Sequence, residues 1–128
     1  MAVRIVRLGS ARARGEGVRI GTVRHPPRGV PREQHAAQNW YDVWLPELAP
    51  SKDLVKRALA AKTDREWADF VKRYRAEMAA PEKVRLLRLL AVMSASTNLS
   101  VGCYCENESR CHRSVLRTLL EEQGATLA

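Results

Sequence analysis

The chain has 128 residues, 45% of them hydrophobic and 28% charged. This suits one compact domain with a hydrophobic core and excludes a disordered chain or a disulfide miniprotein. The formal net charge is +8, and residues 1–32 supply most of it, with eight Arg, no Lys and a single acidic residue, Glu16. This asymmetry predicts an anionic partner, such as a nucleic acid, a phosphorylated small molecule or an acidic protein.

The first part of the chain predicts two strands and a long irregular connection. Residues 3–8 and 18–24 are rich in β-branched side chains, and the loop between them is small and polar. The second strand should end near Arg24, because Pro26 and Pro27 have no N–H to offer a neighbouring strand. Residues 25–50 contain further Pro and Gly, so we expect irregular structure there with one short helical turn near residues 33–39. Such long connections are often functional.

The second part predicts three helices, a strand and a last helix. Ser51 is expected to cap a helix over about residues 52–61, and Thr63 with Glu66 fits a capping box. The next helix carries an apolar stripe made of Trp67, Phe70, Val71, Tyr74 and Met78.

A third helix should run from Pro81 to about Ser96, a short strand over residues 99–105, and a last helix up to Gly124. The order of elements favours an α/β fold, a single domain over residues 1–128 whose small, partly parallel sheet of three or four strands is flanked by helices.

Membrane insertion and secretion are not expected from this sequence. The longest apolar runs, such as residues 89–93, fall far short of the roughly 18 residues that span a bilayer. The first residues lack the apolar region and cleavage site of a secretory signal. The three cysteines lie within residues 103–111, and an odd, clustered set indicates the reducing cytoplasm and not a disulfide framework.

Residues 102–114 carry the most informative chemistry, because they combine a strand end, a polar loop and a helix start. A helix N-terminus stabilises an anion or a thiolate, and Arg110 and Arg113 add positive charge there. Cysteines in such surroundings have lowered pKa values and are better nucleophiles. We therefore expect Cys105 or Cys111 to be a catalytic nucleophile, with a proton carrier nearby, either Glu106 or His112.

Other cysteine motifs fit less well. A phosphatase loop (Cys, five residues, Arg) and a thioredoxin Cys-x-x-Cys pair are both missing from the sequence. A zinc site would have to use four closely spaced candidates, and Cys111 and His112 would diverge by about 100° on a helix. Our first expectation is therefore no metal, and any metal would use Cys103, Cys105, Cys111 and His112.

A second candidate segment, residues 24–29, follows the second strand. If this strand and the strand over residues 99–105 run parallel, their carboxyl ends meet at one edge of the sheet, where ligands bind in open α/β folds. Arg24, His25 and Arg28 would then join Arg110 and Arg113 around a small anion, such as a nucleotide or a phosphate ester.

Ordinary structural roles compete with these assignments. Cys103 and Cys111 could be small buried apolar residues, and His25 an exposed loop residue. The first arginines could form a solvated strand face and loop. Trp40, Tyr41 and Trp44 could pack over the sheet or stack on a ring of a ligand.

Several segments together resemble the bacterial domain-of-unknown-function family 488, whose relatives include YeaO-like proteins. The resemblance rests on Arg28-Gly29, on residues 42–51, on the helix from Trp67 to Glu77, and on the Cys103–Glu106 and Cys111–Ser114 segments. It spans nearly the whole chain and implies a single α/β domain, usually cytoplasmic, with no established activity. By this resemblance the recurring polar groups of the family fall on Arg24, Arg28, Cys105, Glu106, Cys111, His112 and Arg113. His25-Pro26-Pro27 stands where many relatives have a different connection.

Three functions follow from these observations. The first is binding of a small anion by Arg28, Arg110 and Arg113, with thiol-dependent catalysis. The second is a nucleic-acid-associated module that uses the Arg-rich first 32 residues. The third and weakest is a metal-binding module built on the cysteines and His112. The sequence identifies neither a cofactor nor the substrate.

Overall fold

The computed structural model describes residues 1–128, apart from the side chain of Glu108. The strands are β1 (Val3–Arg7), β2 (Val18–Gly21), β3 (Val43–Trp44) and β4 (Leu99–Cys103), and the helices are α1 (Lys52–Ala60), α2 (Asp64–Glu77), α3 (Pro81–Met93) and α4 (His112–Glu122). Single turns of 3-10 helix occupy Arg32–Gln34, Pro46–Leu48 and Glu108–Arg110. These elements form a small parallel sheet with helices around it and confirm the predicted α/β class.

The sheet has the strand order β1-β4-β2-β3, and each of these pairings is parallel. Strand β4 is buried along its whole length, as expected for an inner strand of a parallel sheet. In register, Arg7 of β1 lies opposite Cys103, and Gly21 of β2 lies opposite Gly102. A Cβ at Gly102 would lie 2.8 Å from the Val6 carbonyl oxygen, so glycine lets the strands approach at this point.

Strand ends differ from the sequence prediction. Strand β2 ends at Gly21 and not near Arg24, and β4 ends at Cys103 and not at residue 105. The neighbour β1 ends at Arg7, so the chain beyond Cys103 leaves the ladder and enters a loop. The sequence also missed β3, a two-residue edge strand inside the segment predicted to be irregular.

The helices begin as their capping residues predict. The Ser51 hydroxyl accepts a hydrogen bond from the Leu54 N–H, and Thr63 and Glu66 form the full capping box. On α2, Phe70 and Tyr74 are completely buried, and Trp67 packs beside them against the core. Burial of each such side chain contributes about 1.5–3 kcal/mol, which holds α2 in the common core beside α1 and α4. None of the described helices combines the length and the apolar character needed to cross a membrane.

The arginines of the first 32 residues do not form a uniform surface. Arg19 is fully buried and ion-paired with Glu16, at 2.8 Å between Nε and Oε2. Arg12 pairs with Asp42 at 2.9 Å. Two of these eight arginines therefore have structural roles within the protein.

Candidate functional site

A cleft of about 620 Å³ opens at the carboxyl edge of the sheet. Because β1, β2 and β4 run parallel, the residues at or after their carboxyl ends meet there, and the first turn of α4 adds Cys111 and His112. Val55, Ala58 and Leu59 of α1 and Phe70 of α2 complete the lining. The fold therefore brings both candidate segments of the sequence to one place.

Most of the predicted site residues line this cleft. They are Arg24, His25, Arg28, Cys105, Arg110, Cys111 and His112. Glu106 and Arg113 are not among the lining residues. The carboxylate of Glu106 is 84% exposed and lies 3.5 Å from Arg7, so it does not have the place expected of a proton carrier. Arg113 is buried beneath the cleft and does not have the place expected of a ligand clamp.

Several lining residues were not among the predicted site residues, and they include Arg7, Tyr104 and Trp40, the last considered only for packing or for stacking on a ligand. Arg7 is the last residue of β1, and it would have been found had the direction of β1 relative to β4 been known. Trp40 and Tyr104 meet edge to face at 5.8 Å between ring centroids. The Tyr104 hydroxyl donates to the His25 carbonyl at 2.9 Å, which ties the loop after β2 to the loop after β4.

The three sulfur atoms lie together at the base of the cleft, and we call Cys103, Cys105 and Cys111 the cysteine cluster. All three are free cysteines; Cys103 and Cys111 are buried, whereas Cys105 is partly exposed. The Sγ atoms of Cys103 and Cys105 are 3.6 Å apart, a thiol hydrogen-bond distance. The sulfur that a ligand can reach is therefore that of Cys105.

The cluster favours a negative charge on Cys105. A hydrogen bond from the Cys103 thiol, with a second from Cys111, lowers the pKa of Cys105 well below its ordinary value, and the charge of Arg113 acts in the same direction. The same bond to Cys105 raises the pKa of Cys103, so that Cys103 keeps its proton. The chemical result is one thiolate held by a neighbouring thiol donor.

His112 is oriented by a backbone carbonyl. Its Nε2 lies 2.6 Å from the carbonyl oxygen of Thr22, which can only accept, so Nε2 carries the hydrogen. In the neutral ring Nδ1 is then an acceptor, and it lies 3.9 Å from the Cys111 sulfur. Interactions with Cys103, and to a smaller degree with His112, lower the pKa of Cys111. Nδ1 of His112 is therefore a hydrogen-bond acceptor next to the cluster.

Arg113 supports the cluster from below. It is only 3% exposed, and one terminal nitrogen donates to the Cys105 carbonyl at 2.5 Å. Its Nε has no hydrogen-bond partner among the described residues. Burying a guanidinium with an unpaired donor is unfavourable in free energy unless an anion lies nearby. The thiolate of Cys105 provides that negative charge.

Arg24 is largely used inside the protein. Its Nε donates to the Pro50 carbonyl at 3.0 Å, and one terminal nitrogen donates to the carbonyls of Pro46 and Ala49. These bonds fix the chain before α1 onto the end of β2. They differ from the expectation that Arg24 points at the ligand, although it lines the cleft.

A metal ion is sterically possible beside the cluster. Donor atoms of Cys103, Cys111 and His112 all lie within 4.8 Å of one another, a set that does not extend to Cys105. A structural zinc site uses four protein ligands, whereas three with an open position occur in catalytic sites. The expected divergence of Cys111 and His112 was wrong, because Cys111 is the extended N-cap residue of α4 and does not lie on the helix.

Comparison with known proteins identifies the family. Residues 3–124 match the family model described as "Active DUF488-N3 subclade". Comparison with curated proteins and with solved structures gave no match. The family match covers nearly the whole chain and agrees with the resemblance carried by the Cys103–Glu106 and Cys111–Ser114 segments. The chain belongs to the DUF488 family, in the subclade described as active.

Proposed function

We propose that this protein is an enzyme that binds a small anionic substrate in the cleft and attacks it with the sulfur of Cys105. The observation that carries the proposal is the position of Cys105, partly exposed in the cleft and 3.6 Å from the Cys103 sulfur. Positive side chains surround it, and no Asp or Glu lines the cleft among the residues whose side chains are described. Such surroundings attract anions and keep a thiolate ionised.

The chemistry of the step is nucleophilic substitution at an electrophilic atom of the substrate. A bond forms from the Cys105 sulfur to that atom as the bond to the leaving group breaks with its electron pair. The Cys103 thiol loses its charged acceptor when the Cys105 sulfur forms this bond, and it can then give its proton to the leaving group. Water then attacks the sulfur-bound atom. The product leaves with the hydroxyl group, Cys105 departs as the thiolate, and the other water proton returns to Cys103.

Two further facts support this proposal. The subclade to which the chain belongs is described as active, which agrees with a catalytic role. Three free thiols around one cleft also suit the reducing cytoplasm, which we propose as the compartment.

Alkylation of the thiols by iodoacetamide, resolved by residue with mass spectrometry, tests the proposal. We expect Cys105 to react fastest and its rate to change little between pH 6 and 8. A thiol with the ordinary pKa of about 8.5 would slow roughly 80-fold over that range. The variant Cys105→Ser should lose the reaction at pH 6 while keeping its fold. If Cys105 reacts like an ordinary thiol, the nucleophile proposal is wrong.

Metal content separates the thiolate from a metal centre. We expect protein purified without chelator to contain far less than one equivalent of zinc or iron. One equivalent that disappears in Cys111→Ser would replace the thiolate proposal with metal-assisted chemistry.

The nucleic-acid alternative has less support, because Arg12, Arg19 and Arg24 are used within the protein. Phosphate-backbone binding weakens by about 0.9 log unit per log salt for each contact. We therefore expect no binding of a labelled duplex at low salt. Tight binding with a steep salt dependence would favour the alternative.

A further inference from the structure

The walls of the cleft, by which we mean its lining apart from the charged side chains, are largely apolar. They include Pro26, Pro27, Trp40 and Tyr104, and α1 contributes Leu59, which is 77% exposed. An exposed leucine beside aromatic rings is surface that a ligand with its own apolar, planar part would bury. A bare phosphate or sulfate would leave this surface in water.

The rim of the cleft is positive. His25 and Arg28 are exposed, and Arg28 makes no hydrogen bond or ion pair with the described residues. Arg7 and Arg110 pair with Glu106 and Asp64, whose side chains are 84% and 98% exposed. Ion pairs with such exposed partners are weak, so an anionic group of a ligand can replace them. The rim therefore favours the charged end of the same ligand.

The size of the cleft limits the ligand to one small molecule. Its volume of about 620 Å³ lies within the range of roughly 300–1,000 Å³ that is usual for small-molecule sites. In a ligand whose planar ring and anionic group are joined by a short linker, the ring would contact the apolar walls and the anion would contact the positive rim.

We propose, on the basis of the function proposed above, that the substrate is a nucleoside monophosphate or a close analogue. Its ring lies against Trp40 and the Pro26-Pro27 turn, and its phosphate lies between Arg28 and Arg110. Arginine is suited to the phosphate because its fork presents parallel N–H donors. Stacking on Trp40 accepts any planar base, so the walls select the class and not one base.

Isothermal titration of the full chain tests this assignment. The probes are adenosine and cytidine 5′-monophosphates, with adenosine, ribose 5-phosphate and inorganic phosphate for comparison. We expect at least one nucleotide to bind at least about tenfold more tightly than each of its parts, since one hydrogen bond to a charged group is worth about that factor. If neither nucleotide binds better than ribose 5-phosphate, the assignment is wrong.

Variants separate the two ends of the ligand. Arg28→Gln should weaken nucleotide binding about tenfold and leave adenosine unchanged, whereas Trp40→Leu should weaken both. The matched control is Arg14→Gln, an exposed arginine outside the cleft, which should change neither. Thermal unfolding checks that each variant is folded. Equal weakening of adenosine by Arg28→Gln would contradict the placement of the phosphate.

Protection of Cys105 distinguishes failure of this inference from failure of the proposed function. Adenosine monophosphate should slow alkylation of Cys105, because both occupy the cleft. If Cys105 is reactive at pH 6 but no nucleotide binds or protects it, the substrate class is wrong and the thiol chemistry stands. If nucleotides bind and Cys105 behaves as an ordinary thiol, the thiol chemistry is wrong and the ligand class stands.

Discussion

Two polar clusters each include a residue of the inner strand β4, and they differ in how completely their groups are satisfied. In the first, which we call the Glu16–Arg19 cluster, Arg19 makes four hydrogen bonds, to Glu16 and to the carbonyls of Ser10 and Asn39. Glu16 also accepts from the Ser100 hydroxyl at 2.7 Å and from the Ala13 N–H at 3.1 Å. Its members Glu16, Arg19 and Ser100 are all buried.

The cysteine cluster is open by comparison. Its Cys105 sulfur reaches a cleft, and Arg113 beside it retains an Nε without a partner among the described residues. A saturated buried network can only hold the fold, because none of its groups is available to a ligand. An unsaturated one beside a cleft can react. This contrast is the physical reason for placing function at the cysteines and stability at Glu16 and Arg19.

Glu16→Ala should give the largest effect on stability. The substitution leaves Arg19 charged, buried and without its carboxylate partner, and breaking such a pair costs about 3–5 kcal/mol. Urea unfolding measures it. The matched control, Arg57→Ala, removes exposed pairs with Asp53 and Asp69 and should cost less than about 1 kcal/mol. A loss below about 1 kcal/mol for Glu16→Ala would show that the cluster does not hold the fold.

Acid should unfold the protein partly through the same carboxylate. Burial alone would raise the pKa of Glu16, but hydrogen bonds from Arg19, Ser100 and Ala13 lower it from 4.5 to about 2. Because the folded-state pKa is the lower one, this stabilisation is present above pH 4.5 and is lost as the pH falls towards 2. Urea unfolding between pH 5 and 2.5 should show a steeper decline for the wild type than for Glu16→Gln. Parallel declines would show that protonation of Glu16 does not drive the loss of stability in acid.

Arg113→Met should act on the open cluster and not mainly on stability. It removes the positive charge beside Cys105, so the pKa of the Cys105 thiol should rise by about 1–3 units. Alkylation rate against pH measures this shift. Arg113→Lys keeps the charge and should shift the profile less. An unchanged profile in Arg113→Met would mean that Arg113 does not stabilise the Cys105 thiolate.

Arg7→Gln at the rim should have the smallest effect on stability. Its pair with Glu106 spans 3.5 Å between side chains that are 51% and 84% exposed, so the loss should stay below about 0.5 kcal/mol. Thermal unfolding beside the wild type is sufficient to check this. A loss above about 1 kcal/mol would mean that Arg7 holds the strand ends together and is not available to a ligand.

Most of the helices could be predicted from short-range sequence patterns. The Ser51 cap, the Thr63–Glu66 box and the apolar stripe of α2 depend on residues a few positions apart, and the helices begin where these signals place them. Strand β3 was not predicted because it has only two residues, which pair with Ile20 and Gly21 at the edge of the sheet. No local pattern records such a pairing.

The sequence predicted the position of the candidate site at the edge of the sheet, but it did not predict the contacts of Arg24 and His112. The rule that parallel strands share a carboxyl edge brought Arg28 and Cys105 together from distant segments. The use of Arg24 by the carbonyls of residues 46–50 depends on where that loop crosses the sheet. The bond from His112 to Thr22 likewise joins groups 90 residues apart. Such contacts depend on tertiary packing, so no short-range sequence pattern predicts them.

The ultraviolet absorbance of thiolate, followed against pH in the wild type and in Cys105→Ser, tests most directly whether Cys105 is a thiolate at neutral pH. We predict one thiolate per chain at pH 7, lost only on strong acidification and missing from the variant. The thiolate assignment is contradicted if absorbance rises only near the ordinary thiol pKa of about 8.5 and if the variant gives the same curve.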